Sequence, residues 1–177
     1  SYFTLTELYD YLPDLLRRGI FETITVISTT GFSLDTFSNW NPFGMLSIIL
    51  LMLIGGGTGS TAGGIKLYRI YLMFKSLIWQ FQGYFLPQNA VRENYIWRGE
   101  TKLYIKPEYI RETANYIYLY LGTYFIGVFI YLAYGYDLTE SMFEFASALG
   151  TVGLSIGITA AEAPTGILWL ETIGMFS

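Results

Sequence analysis

Long stretches of this chain carry no charge, and their length bounds what the protein can be. Thr113 to Tyr136 is 24 uncharged residues, Thr36 to Ile65 is 30, and 17 more separate Glu144 from Glu162. A helix needs about 20 apolar residues to cross a bilayer. Thr113–Tyr136 meets that requirement and predicts a transmembrane helix. The second stretch is apolar in FGMLSIILLMLI and then glycine-rich, which predicts a membrane helix over 41–80 broken at 55–64. A soluble core helix would account for one such run, but not for both.

The pattern occurs twice. A shift of 122 residues aligns Phe21-Glu22 with Phe143-Glu144, then Thr29, Gly31 and Ser33 with Thr151, Gly153 and Ser155, then Pro42 and Gly44 with Pro164 and Gly166. Of seven identities in 24 gapless positions, four fall on Gly, Pro and acidic sites, which marks a structural repeat rather than chance matching of apolar residues. Each copy reads as a short helix starting at a cap, Gly19 or Ser141, and ending near Thr29 or Thr151. Ser141-Met142-Phe143-Glu144 fits a capping box. A small-residue segment follows, STTGFS or GTVGLS, and Pro42 or Pro164 then opens a longer helix. Half-helix, extended turn and full helix form a re-entrant pore loop followed by a spanning helix. The fold class expected is therefore all-α integral membrane, with two helix–pore loop–helix repeats of the potassium-channel-like type. The divisions are a lead-in, pore helix and loop over 1–40, the broken helix over 41–80 and a linker over 81–112. A transmembrane helix follows over 113–136, then a second pore helix and loop over 137–162 and the start of a last helix over 163–177.

Non-helical backbone at membrane depth persists only where protein or a watery cavity satisfies its carbonyls. A desolvated cation is one such partner, as in filters where rings of carbonyls replace the hydration shell of potassium. Thr29, Thr30, Gly31 and Phe32, with Thr151, Val152, Gly153 and Leu154, are the candidate filter residues, each offering its backbone carbonyl. The short helices would point their negative C-terminal ends at the same place. Gly31 and Gly153 supply the backbone freedom needed to turn carbonyls toward an axis.

Charge adds sidedness. Eight of the ten Lys and Arg fall between Lys66 and Glu112, giving that segment +4, while the rest of the chain carries −8. The linker is therefore expected on the cytoplasmic side, with both loops opening outward beneath Asp35, Asp137, Glu140 and Glu162, which would concentrate cations. Glu22 and Glu144 read as helix N-terminal acids rather than ion ligands. The aromatic, basic linker, broken at Pro87 and Pro107, suits either a lipid surface or a docked partner. Only 14% of residues are charged and 19% are aromatic, as in membrane proteins with interfacial aromatic belts. With no Cys and no His, the chain holds no disulfide, thiol nucleophile, Cys/His zinc site or Ser-His-Asp triad. The net charge of −4 disfavours nucleic acid. The N-terminal SYFTLTELYDYLPDLLRRG does not read as a signal peptide.

The segment Gly55, Gly56, Gly57, Thr58, Gly59, Ser60, Thr61, Ala62, Gly63, Gly64 imitates a dinucleotide fingerprint at Gly57-x-Gly59-x-x-Ala62. The fingerprint expects an acid about 20 residues on, yet no Asp or Glu lies between Asp35 and Glu93. A phosphate-binding Gly-Lys pair is also missing, because Ile65 precedes Lys66. Six glycines in ten residues are too many for a continuous helix, so a break in mid-membrane is expected. Packing of small residues between helices is the alternative. Lys66 either places a positive charge beneath the pore or anchors at the interface.

These motifs, FETITVISTTGFS, IGGGTGSTAGGIK, LPQNAVRENYIWRGETKLYIKPEYI and FEFASALGTVGLS, resemble the Trk/Ktr/HKT superfamily of potassium transporters over nearly the whole chain. The resemblance implies four pore-loop repeats around one pore, of which this chain would hold two, in the C-terminal half of a subunit. It also implies that Gly55–Gly64 with Lys66 forms a gating loop below the filter. Further implications are potassium as transported ligand with no other cofactor, a multi-pass protein of the plasma membrane, and no enzymatic activity. The expected partners are lipid bilayer, a second full-length subunit in a homodimer, and a cytoplasmic nucleotide-binding regulatory subunit.

Overall fold

The computed structural model describes residues 12–34, 37, 40–85, 95–98, 101–158 and 164–175. Asp35, Glu162 and Pro87 lie outside the described residues. Among the described residues six helices and one hairpin follow in order: α1 (Leu12–Ile27), α2 (Pro42–Ile54), α3 (Leu67–Phe85), β1 (Tyr95–Arg98), β2 (Thr101–Tyr104), α4 (Pro107–Ala133), α5 (Leu138–Leu149) and α6 (Thr165–Met175). Helix α1 runs through Gly19 without a break, so that glycine is not its cap.

The other helix starts follow local chemistry. Asn41 caps α2, its side-chain oxygen accepting from the Phe43 N–H at 2.9 Å, and Pro42 occupies the first turn, where no N–H is needed. Pro107 opens α4 in the same way. Asp137 caps α5 by accepting from the Thr139 N–H at 3.0 Å. The helix therefore starts one turn before Ser141, and the expected capping box is not used. Ser141 instead donates its hydroxyl back to the Asp137 carbonyl at 2.7 Å.

Helix α5 is the centre of the molecule. From Phe143 to Leu149 every residue is buried, under cover from α2, α4 and α6. Phe145 stacks on Tyr124 and meets Tyr131 of α4 at a tilt, and its ring occupies the space a Cβ on Gly127 would take. The Tyr124 hydroxyl donates to the Met142 carbonyl at 3.1 Å, and that of Tyr131 donates to the Glu171 carboxylate of α6. Phe37, after the first loop, packs on Phe143 at 5.1 Å between ring centres and so joins the two repeats.

Among the described residues, α4 is the one helix long and apolar enough to span a bilayer. Its inner face is tyrosine-rich, whereas Leu119, Ile126 and Phe129 are 74%, 62% and 68% exposed. A soluble core helix would bury such a face, so the exposed apolar side suits lipid. Helix α2 is apolar but only 13 residues long, because the chain breaks at Gly55 before resuming as α3.

The linker departs from the all-α expectation. Tyr95–Arg98 pairs antiparallel with Thr101–Tyr104, Tyr95 opposite Tyr104 and Arg98 opposite Thr101. Ile96 and Ile105 are buried with Leu72 of α3 in a small second core. Aromatic residues and threonine favour such strands. The Arg69 guanidinium lies 3.9 Å from the centre of the Tyr116 ring, tying the start of α3 to α4.

Candidate functional site

The loops that follow α1 and α5 share their cap hydrogen bonds and their left-handed positions at the offset of 122. Thr29 N–H donates to Val26 O at 3.2 Å and Thr30 N–H to Thr25 O at 3.0 Å. Their counterparts are Thr151 N–H to Ala148 O at 3.1 Å and Val152 N–H to Ser147 O at 2.9 Å. This pair of bonds is a Schellman cap, in which the residue after the helix takes a left-handed conformation usually given to glycine. Here that residue is threonine twice, with φ of 52° at Thr29 and 54° at Thr151. A β-branched residue in this region is a strained choice. Two residues on, Gly31 and Gly153 are again left-handed, with φ of 76° and 83°.

The loops sit against each other. A Cβ on Gly31 would fall on the carbonyl of Val152, so only glycine lets the first loop approach the second. Farther along, each loop is held by an acid from its own helix. Glu22 Oε1 accepts from the Leu34 N–H at 2.7 Å and the Ser33 hydroxyl at 3.2 Å. Glu144 Oε1 accepts from the Ser155 hydroxyl at 2.7 Å, the Ile156 N–H at 2.8 Å and the Ile158 N–H at 3.2 Å. Both acids are buried. They stand well inside their helices, which corrects their reading as N-terminal acids stabilised by the helix dipole. Reading the sequence alone misses this role, although the signal is there: Glu22/Glu144 and Ser33/Ser155 are two of the seven repeat identities.

The glycine-rich segment folds as a loop with a closed neck. Ile65 and Lys66 donate their N–H groups to Leu53 O and Ile54 O at 2.9 and 2.8 Å, joining the two sides. A Cβ on Gly55 would strike Gly63 O, and one on Gly64 would lie 3.0 Å from the Gly55 Cα. The loop also touches the end of each short helix. Gly56 packs toward Ile27 O, with a Cβ there at 3.3 Å, and a Cβ on Gly63 would strike Gly150 O and reach Thr151 Oγ1 at 2.6 Å. Ala62 is buried, whereas Gly57, Thr58, Gly59, Ser60 and Thr61 form an exposed tip. Lys66 has φ of 73° and directs Nζ to the Ser60 carbonyl at 3.5 Å. The candidate residues of both loops and the glycine-rich segment thus lie side by side, at the C-terminal ends of α1 and α5.

Among the described residues, no group of three or more Asp or Glu side chains is placed to hold a metal ion. Backbone carbonyls and hydroxyls are the donors this region offers.

The chain is similar to known proteins over most of its length. It is 29% identical over 160 residues to an uncharacterised cation transporter of Methanocaldococcus jannaschii, covering 90% of this chain and 32% of that protein. It is 30% identical over 159 residues to the Ktr system potassium uptake protein B of Bacillus subtilis, covering 88% of this chain and 33% of that protein. It is 26% identical over 155 residues to the Trk system potassium uptake protein TrkH of Salmonella typhimurium, covering 87% and 31%. The chain therefore spans about a third of the length of these relatives. The crystal structure of the potassium transporter TrkH from Vibrio parahaemolyticus superposes with a TM-score of 0.77 at 22% identity, over 94% of this chain and 35% of that one, a likeness of fold. The sequence profile of TrkH, cation transport protein, matches residues 13–167, and the chain belongs to that family.

Proposed function

We propose that this chain forms two of four pore-lining repeats in a potassium uptake transporter of the plasma membrane, as the C-terminal part of the subunit. The observation that carries the reading is the matched pair of loops, alike in cap, in left-handed positions and in acid tie, and packed together at Gly31 and Val152. Left-handed residues on either side of an ordinary one turn successive peptide planes the same way. The carbonyls of Thr29, Thr30, Gly31 and Phe32, and of Thr151, Val152, Gly153 and Leu154, then replace the hydration shell of potassium. The negative ends of α1 and α5 point at the same volume. The process is binding and release with no covalent step, so the protein acts as a transporter and not as an enzyme. The names of the Salmonella and Bacillus relatives support potassium as the ion.

Gly55–Gly64 and Lys66 gate the pore from the cytoplasmic side of the filter. Two subunits pair as a homodimer, and a nucleotide-binding regulatory subunit docks on the cytoplasmic face where the basic linker lies. The rival is a non-conducting helical scaffold that uses glycine for packing, favoured by the seat Gly127 makes for Phe145. Flux separates the two readings. The complete protein in liposomes is expected to carry potassium in preference to sodium in a competition assay. Folded protein that carries neither ion would support the scaffold.

A further inference from the structure

We infer that Glu22 and Glu144 are filter-positioning residues, each a strut that fixes the outer end of one filter arm. This inference rests on the filter reading above. Each loop is held at its inner end by the Schellman bonds at Thr29 or Thr151. Each is held at its outer end by a carboxylate seven residues earlier in the helix, bonded to the N–H twelve residues after that carboxylate, Leu34 or Ile156. The four carbonyl-bearing residues lie between these two fixed points. An arm clamped at both ends cannot close around an ion smaller than the one it is spaced for, whereas an arm released at one end can. Loss of a strut should therefore lower discrimination between potassium and sodium before it abolishes flux.

The chemistry points to positioning rather than to ion binding. The Oε1 atom of each acid is taken up by loop donors, among them Ser33 and Leu34 at Glu22 and Ser155, Ile156 and Ile158 at Glu144. Burying a carboxylate in the membrane region is costly. Charge-assisted bonds to backbone N–H groups that have no helix or sheet partner offset that cost. Ser155, besides donating to Glu144, accepts from the Gly157 N–H at 3.0 Å, which extends the tie along the second arm. At Glu22, Oε2 is buried with no hydrogen-bond partner among the described residues.

The test compares Glu144→Gln, Glu144→Asp, Glu22→Gln and Glu22→Asp in the complete transporter, with flux measured per folded molecule. Gln keeps the reach and one acceptor oxygen, whereas Asp is one methylene too short to meet the loop. The potassium-to-sodium flux ratio should fall roughly tenfold in Glu144→Asp, the scale of one lost charge-assisted bond. It should fall less in Glu144→Gln than in Glu144→Asp, and Glu22→Gln and Glu22→Asp should follow the same order. Ser155→Ala added to Glu144→Asp should change the ratio little further, since both act on one tie. Hydrogen exchange supplies a readout independent of flux. In Glu144→Asp, the amides of 156–158 should lose protection while those of α5 keep it. An unchanged flux ratio with unchanged protection at 156–158 would overturn the inference, as would protection lost equally throughout α5. If the wild-type protein carries no potassium while exchange responds as described, the function reading fails and the struts stand as structural ties of the loops.

Discussion

A Cβ placed on Gly31 would collide with the Val152 carbonyl, whereas one on Gly153 meets open space among the described residues. Both residues are left-handed, so any side chain costs about 1–2 kcal/mol at either position. Only Gly31 adds a steric conflict with backbone, which cannot rotate away. We expect Gly31→Ala to lower Tm and flux together, and Gly153→Ala to retain a larger share of both. Thermal unfolding of the complete protein, followed by flux per folded molecule, checks the order, and equal losses would contradict it. The need for glycine at both positions is legible in the sequence, from the 122-residue repeat. The difference between them is not, because it depends on which loop leans on the other. The acids escape a sequence reading for a related reason. A glutamate early in a short helix suits the helix dipole, and only the path of the following loop brings the Leu34 and Ile156 N–H groups within reach.

Helix packing around α5 sets the frame that holds the loops. Phe145 sits where Gly127 leaves α4 bare, and Gly174 of α6 approaches the same ring, with a Cβ there at 3.4 Å. Gly127→Ala would put its methyl into that ring and force Phe145 to move, at about 1–3 kcal/mol. Gly122, on the same helix, has no described residue within 4 Å of the point its Cβ would occupy. Gly122→Ala should therefore hold or raise stability by up to ~1 kcal/mol through helix propensity. Opposite shifts in Tm for these two variants are the expected result, and a fall for both would mean that glycine matters along the whole of α4. At this scale run length and turn residues find the long helix but start it at Thr113 instead of Pro107, and they start α1 at Gly19 instead of Leu12. They place the start of α5 at Ser141, because Ser-x-x-Glu is a true capping pattern. Asp137 wins as cap, and Glu144 is engaged by its loop. The hairpin at Tyr95–Tyr104 escapes notice because aromatic and basic residues in a linker fit a membrane surface equally well, and its pairing depends on Leu72 of α3 covering Ile96.

On the scale of the whole molecule, the repeat is legible in the sequence and the meeting of its parts is not. Sequence alone leaves the glycine-rich segment either a gate or a packing contact, and the structure divides it into a packed neck and an exposed tip. Gly55, Gly56, Gly63 and Gly64 are packed, against each other and against the ends of α1 and α5. Gly57 to Thr61 is exposed and bonded mainly within itself, the Ser60 hydroxyl donating to the Gly57 carbonyl at 2.6 Å. Deleting Thr58–Thr61 therefore removes the tip and leaves the neck bonds from Ile65 and Lys66 to Leu53 and Ile54 in place. If the tip obstructs the pore, potassium flux per folded molecule should rise several-fold while the preference over sodium holds, because Thr29–Phe32 and Thr151–Leu154 are untouched. Ordering a glycine-rich tip carries a large entropic cost, so its closed position rests on few contacts and moves readily. If the segment serves packing alone, loss of the exposed tip should leave flux and Tm unchanged. Gly63→Ala, which drives a methyl into Gly150 and Thr151, should lower Tm under either reading and so serves as the control for a sensitive neck. A rise in flux after the deletion, with Tm held, assigns the gate to the tip; unchanged flux with Tm held assigns the segment to packing.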